Sequence, residues 1–199
     1  MFDGKFRTAV DKRTAPVGRL LVKCGFSADV LTGSGLLFAA ATGWAIAVGQ
    51  HHWAIVLLTL TGAHDLFDGP VAKASQAASV RGSFFDSVMD RLSDALILGG
   101  AAYYLEASHR GQLILLPFAI MTSTFMISYQ RSKAESLGLA AKGGLMERAE
   151  RMILMGVSLL ATSIFIPVLW ILLVLTTMTA VGRFRRVWVV ATEASASVE

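Results

Sequence analysis

Residues 65–94 read DLFDGPVAKASQAASVRGSFFDSVMDRLSD, a stretch whose spacing is Asp65-x2-Asp68-Gly69-x2-Ala72-Lys73-x8-Gly82-x3-Asp86-x3-Asp90. These carboxylates lie inside, or at the ends of, two long apolar segments. An ionised carboxylate at membrane depth costs on the order of several kcal/mol, so it persists where it faces a polar cavity and holds something positive. Four of them at helical spacing point to a metal site.

Outward from this stretch, the composition sets the class. The chain has 199 residues, of which 54% are hydrophobic and 16% charged, with a mean hydropathy of +0.59. That is too apolar for an ordinary soluble domain and reads as an all-α, polytopic membrane protein. Apolar runs predict six spans at about 30–49, 52–73, 83–106, 112–136, 148–165 and 167–187. With both termini inside, every Lys and Arg except Arg110 falls on the cytoplasmic side or within a few turns of it. Residues 1–191 are expected to form one membrane domain and 192–199 a disordered tail. Within the juxtamembrane segment 1–26, residues 5–24 alternate bases with apolar residues and predict a short helix in the headgroup layer, beside anionic lipid. The start lacks a basic-then-apolar leader pattern, which predicts that it belongs to the mature chain. Nothing in the sequence suggests a nucleic-acid partner.

On helices, Asp65 and Asp68 project from one face, and Asp86, Asp90 and Asp94, spaced by four, form another. If these helices are neighbours joined by the short connection near 74–82, their acidic faces converge close to the cytoplasmic surface. Such a set would repel itself unless neutralised. Oxygen ligands without His or Cys suit Mg2+, or Mn2+, better than zinc, and phosphoryl-transfer sites often hold two such ions about 4 Å apart. Gly69 and Gly82 allow close backbone approach, Ala72 keeps one face small, and Lys73 is either a phosphate partner or a snorkelling residue at the span end.

The same spacing resembles the signature of the CDP-alcohol phosphotransferases, D-x2-D-G-x2-A-R-x8-G-x3-D-x3-D, with Lys73 standing where that family has arginine. The resemblance implies a membrane enzyme that transfers a substituted phosphate from a CDP-linked lipid to an alcohol and releases CMP. It implies that Asp65, Asp68 and Asp86 bind metal, and that Asp90 is both general base and a ligand of a second ion. The stretch Ser27-Ala28-Asp29-Val30-Leu31-Thr32 resembles the loop that opens the family's first span, with Ala28 replacing the usual proline. CDP-diacylglycerol is thereby assigned Asp29, Val30, Leu31, Thr32, Gly69, Lys73 and Ser79. Arg91 and Asp94 continue a D-R-x-x-D pattern and are read as a structural ion pair. Family members are homodimers, so the same is expected here.

Residues 128–135 and 143–151 resemble the corresponding segments of the actinobacterial phosphatidylinositol phosphate synthases within that family. This implies an inositol phosphate acceptor, and a phosphorylated acceptor needs cations. Arg131, Lys133, Arg148, Arg151 and Arg183 are the candidates, with inside-positive topology as the plainer explanation of each. Glycerol 3-phosphate, the acceptor of a phosphatidylglycerophosphate synthase, is the nearest alternative. A cation or proton carrier would explain the aspartates but not the glycines, Ala72 or their spacing, and a structural protein with buried ion pairs has too few bases near the motif. Cys24 reads as packing, His51 and His52 as interfacial neighbours of Trp53, and His64 as lying off the acidic face.

Overall fold

A computed structural model describes residues 5–76, 79–139 and 143–196. Among them every regular element is helical: α1 (Lys5–Lys23), α2 (Ala28–Ala47), α3 (His51–Ala74), α4 (Val80–Ala107), a 3-10 turn (Gly111–Ile114), α5 (Leu115–Ser136), α6 (Arg148–Leu159) and α7 (Thr162–Ala196). The all-α class is as expected. Among the described residues, three segments are long and apolar enough to cross a membrane: Ala28–Ala47, Gly111–Ser136 and Thr162–Ala194. Helices α3 and α4, of 24 and 28 residues, have the length as well but carry the charged motif.

The chain divides into two compact units, Phe2–Gln112 and Leu113–Glu199. In the first, α2 packs against both α3 and α4, and α1 packs against α3. Small residues set how closely these helices approach. A Cβ on Gly43 would collide with the backbone of Leu96, and one on Gly100 with the backbone of Gly43, so α2 and α4 touch main chain to main chain. Without side chains between them, backbones can approach closely enough for dispersion to hold apolar helices together. Gly18 of α1 meets Pro70 of α3 in the same way, where a Cβ would lie 2.8 Å from the proline carbonyl carbon. Pro70 sits inside α3 directly after Asp68-Gly69 and has no N–H to donate, which frees one carbonyl of the motif turn. Ser27 and Ser79 cap α2 and α4, their hydroxyls accepting from Val30 N at 3.3 Å and Gly82 N at 3.0 Å.

In the second unit α7 packs on α5 and α6. Leu116, Ile120 and Ile127 of α5, Met155 and Leu159 of α6, and Phe165, Leu169 and Leu172 of α7 are all buried. Ser123 and Thr177 add a hydrogen bond between α5 and α7 at 3.1 Å.

Four expectations change. The fifth segment, expected at 148–165, is a helix of only 12 residues, about 18 Å long against a hydrocarbon core of roughly 30 Å, and residues 162–165 belong to α7. The expected tail from 192 begins as the last turn of α7, which runs to Ala196, while 197–199 and residues 1–4 lie outside the described residues. Cys24 is exposed after α1 instead of packed. His51 is buried at the start of α3 with its ring edge-on to Tyr104 at 4.8 Å, whereas Trp53 is exposed. His64 is structural, as expected: its Nδ1 lies 2.8 Å from Leu60 O and its ring 4.9 Å from Phe38.

The α2–α4 crossing can be tested by overpacking. Gly100→Val should destabilise the protein by about 2 kcal/mol or more, seen as a lower thermal midpoint in detergent. Gly99→Ala, at a position with open space around it, should leave the midpoint unchanged.

Candidate active site

The starts of α2 and α4 and the last turns of α3 enclose a cavity of about 210 Å³. Its walls include Asp29 and Thr32 from α2, Asp68 and Gly69 from α3, and Ser79, Gly82 and Asp86 from the beginning of α4. Ala28, Ala72 and Ser83 complete it, so the alanine in the usual proline's place and the small residue of the signature both face this space.

The helical spacing explains how the acids meet. Asp68 is one turn beyond Asp65 on α3, and its carboxyl is in hydrogen-bonding contact with that of Asp86 on α4. Asp65 is near enough to Asp68 to act on it electrostatically. Gly69 N donates to Asp68 Oδ1, which ties that carboxyl to its own helix turn. Two carboxyl groups in contact cannot both stay ionised without a proton or a cation between them. The donor set is therefore of the kind a hard divalent cation takes, all oxygen and formally anionic. Among the described residues, no three Asp, Glu, His or Cys side chains are drawn together tightly enough to ligate one ion as they stand. Of the four expected ligands, the structure brings Asp68 and Asp86 together, with Asp65 near Asp68. Asp90, one turn past Asp86, is half-buried and accepts from Arg91 at 3.2 Å. Asp94 is buried.

The donor-site expectations divide. Asp29, Thr32, Gly69 and Ser79 line the cavity. Val30 is exposed and Leu31 is buried in the helix packing, and neither side chain contributes to the cavity wall. That follows from helix geometry: residues 29 and 32 share a face that 30 and 31 do not. Lys73 is exposed in the last turn of α3, outside the cavity lining. Arg81, which in the sequence counts only toward the inside-positive pattern, holds Asp29 Oδ2 through its guanidinium at 2.7 Å. A base immediately before Gly82, at a helix start, was the available signal.

In the second unit the five expected acceptor cations occupy very different environments. Arg183 is 1% exposed, the largest fully buried side chain described. Its guanidinium donates to Ile127 O at 2.8 Å, Gly143 O at 3.2 Å and Glu147 Oε1 at 2.8 Å. This buried guanidinium ties α5, α7 and the 143–147 connection through its two terminal nitrogens, while its Nε is buried without a hydrogen-bond partner. Arg186 also donates to Gly143 O, at 2.7 Å. Gly144 allows this close approach, since a Cβ there would stand 2.8 Å from Thr179 Cγ2 and force that side chain to shift. Arg151 is buried and donates weakly to Met146 O at 3.4 Å. Arg131 pairs with Glu135 one turn on at 3.0 Å, Arg148 is half-buried at the start of α6, and Lys133 is exposed.

An acidic cavity walled in part by Gly69 and Gly82 thus lies among helices of membrane-type composition. A family model described as CDP-alcohol phosphatidyltransferase matches residues 26–193. The chain belongs to this family and is an enzyme of that class, a transferase. It is 33% identical over 143 residues to the phosphatidylinositol phosphate synthase of Streptomyces avermitilis, a match spanning 70% of this chain and 58% of that one. The structure of Mycobacterium tuberculosis phosphatidylinositol phosphate synthase with CDP-DAG bound superposes with a TM-score of 0.79 at 25% identity, covering 88% of this chain and 93% of that one. The same protein's complex with manganese and citrate gives 0.80 at 25% identity, covering 88% of both.

Arg183→Met removes the donor to Ile127 O, Gly143 O and the part-exposed Glu147, leaving carbonyls unpaired, so it should destabilise the protein by about 1–3 kcal/mol. Arg131→Ala, at a half-exposed pair, should cost no more than about 1 kcal/mol. Thermal unfolding in detergent compares them directly.

Proposed function

We propose that this protein transfers the phosphatidyl group of CDP-diacylglycerol to inositol phosphate, giving phosphatidylinositol phosphate and CMP. The observation that carries the proposal is the Asp68–Asp86 contact in a cavity shared with Asp29, Thr32, Gly69, Ser79 and Gly82. Similarity to proteins named for this activity, one of them with CDP-DAG bound, supports it. In the proposed arrangement α2 to α7 are six membrane segments, with both termini and the cavity on the cytoplasmic side of the cell membrane. The shortest, α6, is matched by local thinning of the bilayer. Helix α1 lies in the headgroup layer beside α3, and the enzyme works as a homodimer.

The acceptor hydroxyl attacks the phosphorus that bears diacylglycerol. As the new O–P bond forms, the bond to the CMP phosphate breaks and the hydroxyl proton passes to Asp90. Arg91, bonded to Asp90, holds that carboxylate in place. Asp65, Asp68, Asp86 and Asp90 would hold Mg2+ or Mn2+, as two ions, whose charge offsets that of the diphosphate oxygens. The homologue solved with manganese supports that choice. Asp29, Thr32, Gly69 and Ser79 bind the nucleotide, with Lys73 beyond the cavity as a point charge for the diphosphate. The acceptor phosphate falls to Arg131, Lys133 and Arg148, while Arg151 and Arg183 brace them from the buried side.

Purified protein given CDP-diacylglycerol and Mg2+ or Mn2+ should release CMP with inositol phosphate, far less with inositol or glycerol 3-phosphate, and none after chelation. Turnover with glycerol 3-phosphate alone would reassign the acceptor; no metal-dependent CMP from any acceptor would overturn the reaction. Asp90→Asn should retain donor binding and lose about 10²–10⁴ in kcat, the range a general base contributes. Full activity of that variant would remove Asp90 from this role.

A further inference from the structure

One charged contact at the cavity lies outside the family signature. Asp29 Oδ2 accepts from Arg81 at 2.7 Å, joining the first turn of α2 to the first turn of α4 across 52 residues of sequence. The other carboxylate oxygen faces Gly82, where an added Cβ would stand 3.9 Å from Asp29 Oδ1 and 3.2 Å from the capping hydroxyl of Ser79. One oxygen of this wall residue is thus held by the start of α4 and the other lies beside it. The helix dipole favours a carboxylate at the start of α2 but does not choose its rotamer. A guanidinium does, because its donors are fixed in a planar fork. Arg81 is itself 85% exposed at the side chain, so it contributes little as core packing.

We propose that Arg81 is a positioning residue for the donor, holding the Asp29 carboxylate in the orientation that receives the nucleotide. This rests on the reading of the cavity as the CDP-diacylglycerol site. The arginine lies one residue before Gly82, at the cavity edge, on the helix that also carries Asp86 and Asp90. Its guanidinium does this by setting Asp29, without binding the diphosphate itself.

Steady-state kinetics on the full chain, with both substrates varied, test this. Arg81→Ala should raise the KM for CDP-diacylglycerol about three- to tenfold, with kcat and the acceptor KM within about twofold of wild type. Arg81→Lys, which keeps the charge but loses the fork, should recover part of the loss. In an Asp29→Asn background, Arg81→Ala should add less than about twofold, because its effect passes through Asp29. An unchanged donor KM in Arg81→Ala would overturn the inference, as would an equal multiplicative effect with and without Asp29, which would mark direct contact with the donor. Thermal midpoints of all variants should match wild type, and a drop that tracks the KM change would mark a merely structural role. Wild-type CMP release is read in the same assay. Its absence would overturn the proposed reaction, whereas an active wild type with an indifferent Arg81→Ala overturns this inference alone.

Discussion

The contact between the carboxyls of Asp68 and Asp86 is the constraint on which the first unit depends. Two anions placed together between apolar helices repel, and no amount of hydrophobic packing removes that cost. The arrangement is sustainable only if the site is built to receive positive charge. That requirement explains the neighbouring glycines and alanine, which leave room for a ligand, and the polar caps Ser27 and Ser79, which bring helix starts to the cavity edge.

Holding such a site requires helices that do not drift apart. Apolar side chains gain little from leaving lipid for one another, so close backbone contact has to supply the cohesion. Gly43 against Gly100 and Gly18 against Pro70 provide it, and they fix where the ends of α1, α2, α3 and α4 fall. The second unit solves a related charge problem by the opposite means. Arg183 is wholly enclosed, and two carbonyls and Glu147 take up its terminal nitrogens, so its charge ties the unit together.

Much of the site was legible because helical spacing is local. Intervals of three and four put Asp65 with Asp68, and Asp86 with Asp90, on shared faces before any tertiary contact is known. The same periodicity separates Val30 and Leu31 from Asp29 and Thr32, although the family resemblance assigns the whole stretch to the donor. The apolar run through 148–165 concealed a helix break, since hydropathy averages over a turn that backbone geometry ends at Leu159. His51 looked interfacial beside exposed Trp53; its burial depends on Tyr104, more than fifty residues away.

By itself the amino-acid sequence determined an all-helical, membrane-type chain and an acidic motif with a phosphotransferase spacing, because composition and helical period are properties of short segments. Only the tertiary structure decided which carboxyls touch, that Lys73 stays outside the cavity, that Arg183 is consumed as a buried tie and that Arg81 reaches Asp29. Those outcomes depend on how closely distant helices approach, and that distance is set by steric contacts between glycines and their partners far apart in the chain.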